Sequence, residues 1–185
     1  MHTDTKALIA QRLLQILEHT SLENVSVKSL VDHCCISRQT FYYHFRDIFD
    51  VLEWETKTSV EQWLEESLQA EHPKDAIFIL VKKTVANRKV IHKLLGSERR
   101  AECERLIVNG VSTYLRELFQ RQWPSHSLPD PDVQVFLDFH VYGFVGLILK
   151  ECEKSQPNVV CLVDQIYRIL SGKMEEQLGP ATISL

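Results

Sequence analysis

The spacing of the apolar residues constrains this chain more than any other feature. They recur every three or four positions from one end to the other. Ile9, Leu13, Ile16 and Leu17 fall at i, i+4, i+7 and i+8 and form one stripe. Ile77, Leu80, Val81 and Val85 repeat the pattern, and Leu106, Val108, Val111, Tyr114, Leu115 and Leu118 carry it over a longer span. No run of apolar–polar alternation bounded by hairpin turns interrupts it, so no strands are needed. The expected fold class is all-α, with about nine helices. Breakers and caps place them at residues 4–19, 27–34, 37–45, 48–69, 74–86, 88–95, 98–122, 132–153 and 158–178. Ser26 and Ser37 are N-cap candidates. Pro73 disfavours helix at His72, and Gly96 stops the sixth helix. WPSHSLPDPD, with three prolines in ten residues, is the clearest loop, and the tail GPATISL is expected to fray. Three short helices therefore precede a larger helical body, which suggests one domain over residues 1–47 and another over 48–185.

The 185 residues suffice for this arrangement and for a real hydrophobic core, and 44% apolar with 25% charged is a globular composition. No stretch approaches ~20 uninterrupted apolar residues, so no membrane span is expected. Lys6, Gln11 and Arg12 interrupt the first apolar run, which is unlike a signal peptide, and a cytoplasmic location follows as the expectation. Five cysteines, an odd number without CxxC spacing, argue against disulfides and a tetrathiolate zinc site. His33, Cys34 and Cys35 are consecutive and cannot all face one ion from a helix end, so no metal is expected. Nothing calls for a cofactor. Without a Gly-rich phosphate loop, a nucleophile elbow or HExxH spacing, an enzyme is not expected either.

The chemistry lies in residues 26–46. Two short helices, 27–34 and 37–45, flank a turn at Cys35 and Ile36, which is the layout of a helix-turn-helix. Phe41 and Phe45, at i and i+4, face inward. Arg38, Gln39, Thr40, Tyr43 and His44 lie elsewhere on the second helix, free to face a groove. Arg can read guanine bidentately, Gln can read adenine, and the Thr methyl can touch a thymine methyl. Tyr42 and Arg46 suit phosphate oxygens. The helix starts at Ser26 and Ser37, with Lys28 on the first helix, can present N–H groups and charge to the backbone.

The segment VSVKSLVDHCCISRQTFYYHFRDIFDVLEW resembles the helix-turn-helix signature of the TetR family of transcriptional regulators. Thr40, Phe41, Tyr42, His44, Phe45 and Leu52 match it. TFYYHF with the following Asp and Leu-Glu-Trp is similar to the branch that includes dihydroxyacetone kinase regulators. The match covers about 30 residues. It departs at two places: the family's turn glycine is Cys35, and its phosphate-binding lysine at the start of the fourth helix is Ile48. If the turn needs positive φ, a non-glycine residue there costs roughly 1 kcal/mol.

The resemblance implies a homodimer that places its third helices in the major groove of a palindromic operator. It implies a dimer interface built from the last two helices and a small-molecule effector in the larger domain, in most cases relieving repression. The sequence agrees with the dimer. Phe136, Leu137, Phe139, His140, Phe144, Leu147 and Ile148 surround much of the eighth helix, and Gly143 and Gly146 permit close helix approach. Val159, Val160, Leu162, Val163, Ile166, Ile169 and Leu170 do the same on the ninth. The interface expected is Phe136, Phe139, His140, Gly143, Phe144, Leu147, Val163, Ile166 and Leu170. Candidates for the effector pocket are Trp54, Trp63, Phe78, His92, Cys103, Tyr114 and His140. The competing reading is a co-regulator or protein-interaction module of the same fold that does not bind DNA.

The charge balance bears on that choice. Net charge is −4, and residues 1–50 carry five basic and six acidic side chains, yet residues 37–46 carry two basic and no acidic ones. A chain so charged lacks the surface of a tight nonspecific binder, and its DNA affinity should rest on dimerisation and a few placed contacts.

Overall fold

A computed structural model describes residues 4–122 and 130–171. Among the described residues there are nine α-helices, one 3-10 turn and no strand. They are α1 (Thr5–Leu17), α2 (Val27–Cys34), α3 (Arg38–His44), α4 (Ile48–Leu68), α5 (Pro73–Ala86), α6 (Arg88–Leu95), α7 (Arg100–Gln122), α8 (Pro131–Cys152) and α9 (Val159–Leu170). The 3-10 turn, Leu22–Asn24, links α1 to α2. Local signals start most of them. The side chains of Asp4, Ser26, Ser37, Asp47, Asp130 and Asn158 each accept a backbone N–H at a helix start. Pro73 opens α5, where its missing N–H costs nothing. The tail expected to fray and most of the Pro-rich loop lie outside the described residues, as do residues 172–178 of the expected ninth helix.

Gly96 ends α6 at φ −85°, outside the left-handed region. Glycine matters there because a Cβ would meet the His92 carbonyl at 3.1 Å. The chain then turns through Ser97–Arg99, so α7 begins at Arg100, later than expected. The Ser97 hydroxyl donates to the Leu94 carbonyl (2.6 Å) and holds the corner.

The buried side chains form two clusters. The first gathers Ile9, Leu13, Leu17, Leu30, Phe41, Phe45, Val51 and Leu52, and also Val90, Leu94 and Cys103 from α6 and α7. The second gathers Val60, Ile77, Leu80, Val81, Tyr114, Val141, Phe144, Ile148, Val163 and Ile166. α4 serves both: its first turns pack on the helix-turn-helix, and Val60 packs in the body. It meets α7 closely at Gly110, where a Cβ would lie 3.2 Å from the Thr56 side chain.

α8 is long and apolar enough to cross a membrane by length and composition alone, although charged residues interrupt its apolar sequence, against the expectation of no such segment. Its Val141, Phe144 and Ile148 pack in the second cluster, while most of the helix stays exposed. Near its end, the buried Glu151 accepts the Asn158 N–H (2.6 Å) and pairs with Lys154 (2.6 Å), fixing the turn into α9. Burial alone would raise the Glu151 pKa, but these two partners hold it below the ordinary carboxylate range.

Candidate nucleic-acid interface

α2 is set by a reciprocal cap. The Ser26 hydroxyl accepts the Ser29 N–H and the Ser29 hydroxyl accepts the Ser26 N–H, each at 3.1 Å. The helix ends at Cys35, which sits at φ 54°, ψ 40°, the one left-handed non-glycine among the described residues. That geometry turns the chain so that the Ile36 N–H reaches back to the Val31 carbonyl (3.1 Å). The position does need positive φ, so Cys35 carries strain where the resembling family has glycine.

α3 follows at once. The Ser37 hydroxyl accepts the Thr40 N–H (3.0 Å) and meets the Thr40 hydroxyl at 2.9 Å. Phe41 is completely buried, and Phe45 lies tilted against it at 6.1 Å and edge-on to Trp54 at 6.0 Å. This anchor aims the opposite face outward. Arg38, Gln39 and Tyr42 are exposed, and Tyr43, at 84%, is the most exposed large apolar side chain among the described residues. His44 is half-buried, edge-on to Tyr43 at 5.0 Å. Lys28 is exposed on α2.

The other candidates are constrained. Ser26, Ser37 and the Thr40 hydroxyl are engaged in caps. Arg46 extends into solvent but pairs with Asp50 at 3.4 Å and Glu53 at 3.9 Å. Its backbone N–H also donates to Asp50 (2.8 Å), and this bond leads the pull of the Asp50 carboxyl below its ordinary range. Ile48 is half-buried against the first cluster. His33 is exposed and bonds the Ser29 carbonyl (2.7 Å), while burial pushes the Cys34 thiol pKa up. Among the described residues no group of His, Cys, Asp and Glu is arranged to hold a metal ion.

No protein-family model matches the sequence, and no curated protein matches it by sequence. Solved structures match by shape. The dihydroxyacetone kinase operon activator DhaS superposes with TM-score 0.72 at 14% identity, over 94% of this chain and 97% of that one. A protein of Syntrophomonas wolfei described as a TetR-family transcriptional regulator superposes with TM-score 0.64 at 12% identity, over the full length of both. The chain has a TetR-like fold. A transcriptional regulator of Aquifex aeolicus agrees, with TM-score 0.61 at 16% identity over 91% and 99%.

The body of this TetR-like chain departs from several expectations. The seven pocket candidates do not gather around one cavity. Cys103 and Tyr114 are completely buried, each in a different cluster. Trp54 packs on Phe45, Trp63 and Phe78 are half-buried in the second cluster, and His92 is exposed. His140 is half-buried and lies 4.1 Å from the Phe136 ring. The Tyr114 hydroxyl donates to the Ala76 carbonyl (2.8 Å) and meets Ser67, whose hydroxyl reaches the Trp63 carbonyl (2.6 Å). Burial pushes the Tyr114 pKa up to about 12. A cleft of about 370 Å³ does open between the starts of α4 and α7, lined by Arg46, Asp50, Glu53, Arg99, Glu102 and Arg105 among others, and by none of the seven. Sequence reasoning missed it because its two charged helix faces are brought together only by the packing of α4 on α7.

The apolar surplus of α8 and α9 divides in two. Phe144, Val163 and Ile166, expected at an interface, are 3%, 2% and 3% exposed in the chain's own core. Phe136, Phe139, Leu147 and Leu170 are exposed, and a Cβ on Gly143 or Gly146 would meet nothing within 4 Å. Val135 and Tyr142 join the exposed face and were not foreseen, and Val160 and Ile169 extend it. When nearly every stripe of a helix is apolar, periodicity cannot say which one the chain itself covers.

Proposed function

We propose that this protein is a transcription regulator that binds a palindromic operator as a homodimer, each subunit placing α3 in the major groove. The outward face of α3 carries the reading: Arg38, Gln39 and Tyr43 stand free on a short helix whose position is fixed by the buried Phe41. Arg38 and Gln39 read base edges, with Thr40 and His44 beside them, while Lys28 and Tyr42 meet phosphates. The second subunit packs on the exposed apolar side chains of α8 and α9, among them Val135, Phe139 and Tyr142, each more than 60% exposed. We infer repression relieved by a small effector: a ligand that binds one conformer of the body better shifts the spacing of the two heads. This activity belongs in the cytoplasm.

The test is fluorescence anisotropy with duplexes from the region upstream of the coding gene. One duplex should outcompete random DNA at moderate salt, and equal competition by random DNA refutes the reading. Replacing Arg38 or Gln39 should change base preference, whereas replacing Tyr42 should weaken all duplexes alike. One observation favours the second reading, a co-regulator without DNA: Asp50 and Glu53 already occupy Arg46. Retention of a specific protein partner without retention of any duplex would decide for it.

A further inference from the structure

The helix-turn-helix region has five cationic side chains, and they are not equally available. Arg46 is held by Asp50 and Glu53. Arg12 donates to the Gln15 side chain (2.9 Å). Lys28 and Arg38 are exposed on α2 and α3. The fifth, Lys6, is half-buried on the first turn of α1, where the Asp4 carboxylate accepts its backbone N–H (3.0 Å). Its ammonium lies 5.3 Å from the centre of the Phe45 ring and 5.8 Å from that of Trp54. No carboxylate comes within ion-pair distance of it among the described residues, although its charge is felt at Asp50.

Phe45 closes α3, so this ammonium stands at the C-terminal end of the helix that carries the reading face. Ile48, the first residue of α4, brings no charge to that end. Two aromatic rings attract the cation, which restricts the side chain before any partner arrives. A seated cation without a counter-carboxylate needs less ordering to take up an anionic oxygen than a free surface lysine does.

We propose that Lys6 is a DNA-backbone contact, its ammonium taking a phosphate oxygen beside the end of α3, where Arg46 is occupied by Asp50 and Glu53. This rests on the reading that α3 enters a groove. The experiment measures affinity of the full chain for one upstream duplex and one random duplex from 50 to 200 mM KCl. Wild type is compared with Lys6→Met, which keeps the stem, and with Lys6→Arg, which keeps the charge. Each phosphate contact contributes about 0.9 to the slope of log affinity against log salt, so losing one per subunit of a dimer should lower the slope by about 2. The expected result is that fall in Lys6→Met for both duplexes, with the slope retained in Lys6→Arg. Wild-type binding with an unchanged slope in a Lys6→Met protein of normal helical content overturns the assignment and leaves the regulator reading intact. A wild type that binds neither duplex overturns both. Should Lys6→Met fail to fold, a slope lowered in Lys6→Arg decides against the assignment.

Discussion

Replacing Cys35 with glycine should stabilise the protein. Cys35 sits at φ 54°, ψ 40°, where its Cβ crowds the backbone at a cost of about 1–2 kcal/mol. Glycine removes that cost but gives the unfolded chain more freedom, which takes back about 0.4–1 kcal/mol. Little else changes, because the side chain is exposed and its sulfur makes only a 3.9 Å approach to the Asp32 carbonyl. The balance is a gain of about 0.5–1 kcal/mol, or roughly 1–4 °C in Tm for a chain of this length. The assay is thermal unfolding by circular dichroism under reducing conditions and at one protein concentration, since the Tm of any self-associating protein depends on concentration. Cys35→Ala is the control: it removes the thiol and keeps the Cβ, so its Tm should stay close to wild type. A Tm that falls in Cys35→Gly, or rises equally in Cys35→Ala, refutes backbone strain as the reason.

Further outcomes can be checked in the body. Phe139→Arg, at a position 75% exposed, should halve the mass seen by light scattering while leaving helical content unchanged; an unchanged mass rejects the apolar face as the dimer surface. Phe144→Ala should instead lower stability by about 3–5 kcal/mol, because that ring is buried in the chain's own core. The Tyr114 pKa, raised from 10 to about 12, means that the folded state keeps a proton the unfolded state loses. The stability this brings is fully present below pH 10 and disappears as pH rises from 10 to 12, a change of roughly 2–3 kcal/mol that Tyr114→Phe should abolish in alkaline melts. The Glu23 carboxylate accepts the Glu98 N–H (2.7 Å), so Glu23→Ala should speed exchange of the Glu98 amide hydrogen while sparing amides inside α7.

The helices, their starts and the helix-turn-helix were legible in the sequence because their causes are local. An N-cap hydroxyl at Ser26 or Ser37 meets an N–H three residues on, and a stripe at i, i+4 and i+7 needs no knowledge of its partner. The turn at Cys35 was legible as a turn, but only the structure decided that it needs positive φ: Asn87 joins α5 to α6 just as abruptly at φ −90°. What only the tertiary structure decided is where those elements come to rest. Burial of Phe144, Val163 and Ile166, against exposure of Phe139 and Tyr142, depends on how α5 and α7 lie against α8 and α9. Pairing of Arg46 with Asp50 and Glu53, seating of Lys6 on Phe45 and Trp54, and the cleft between α4 and α7 arise where separate faces converge. A helix records in its own sequence how it begins and which sides are apolar. Which neighbour covers each side depends on the packing of the whole chain.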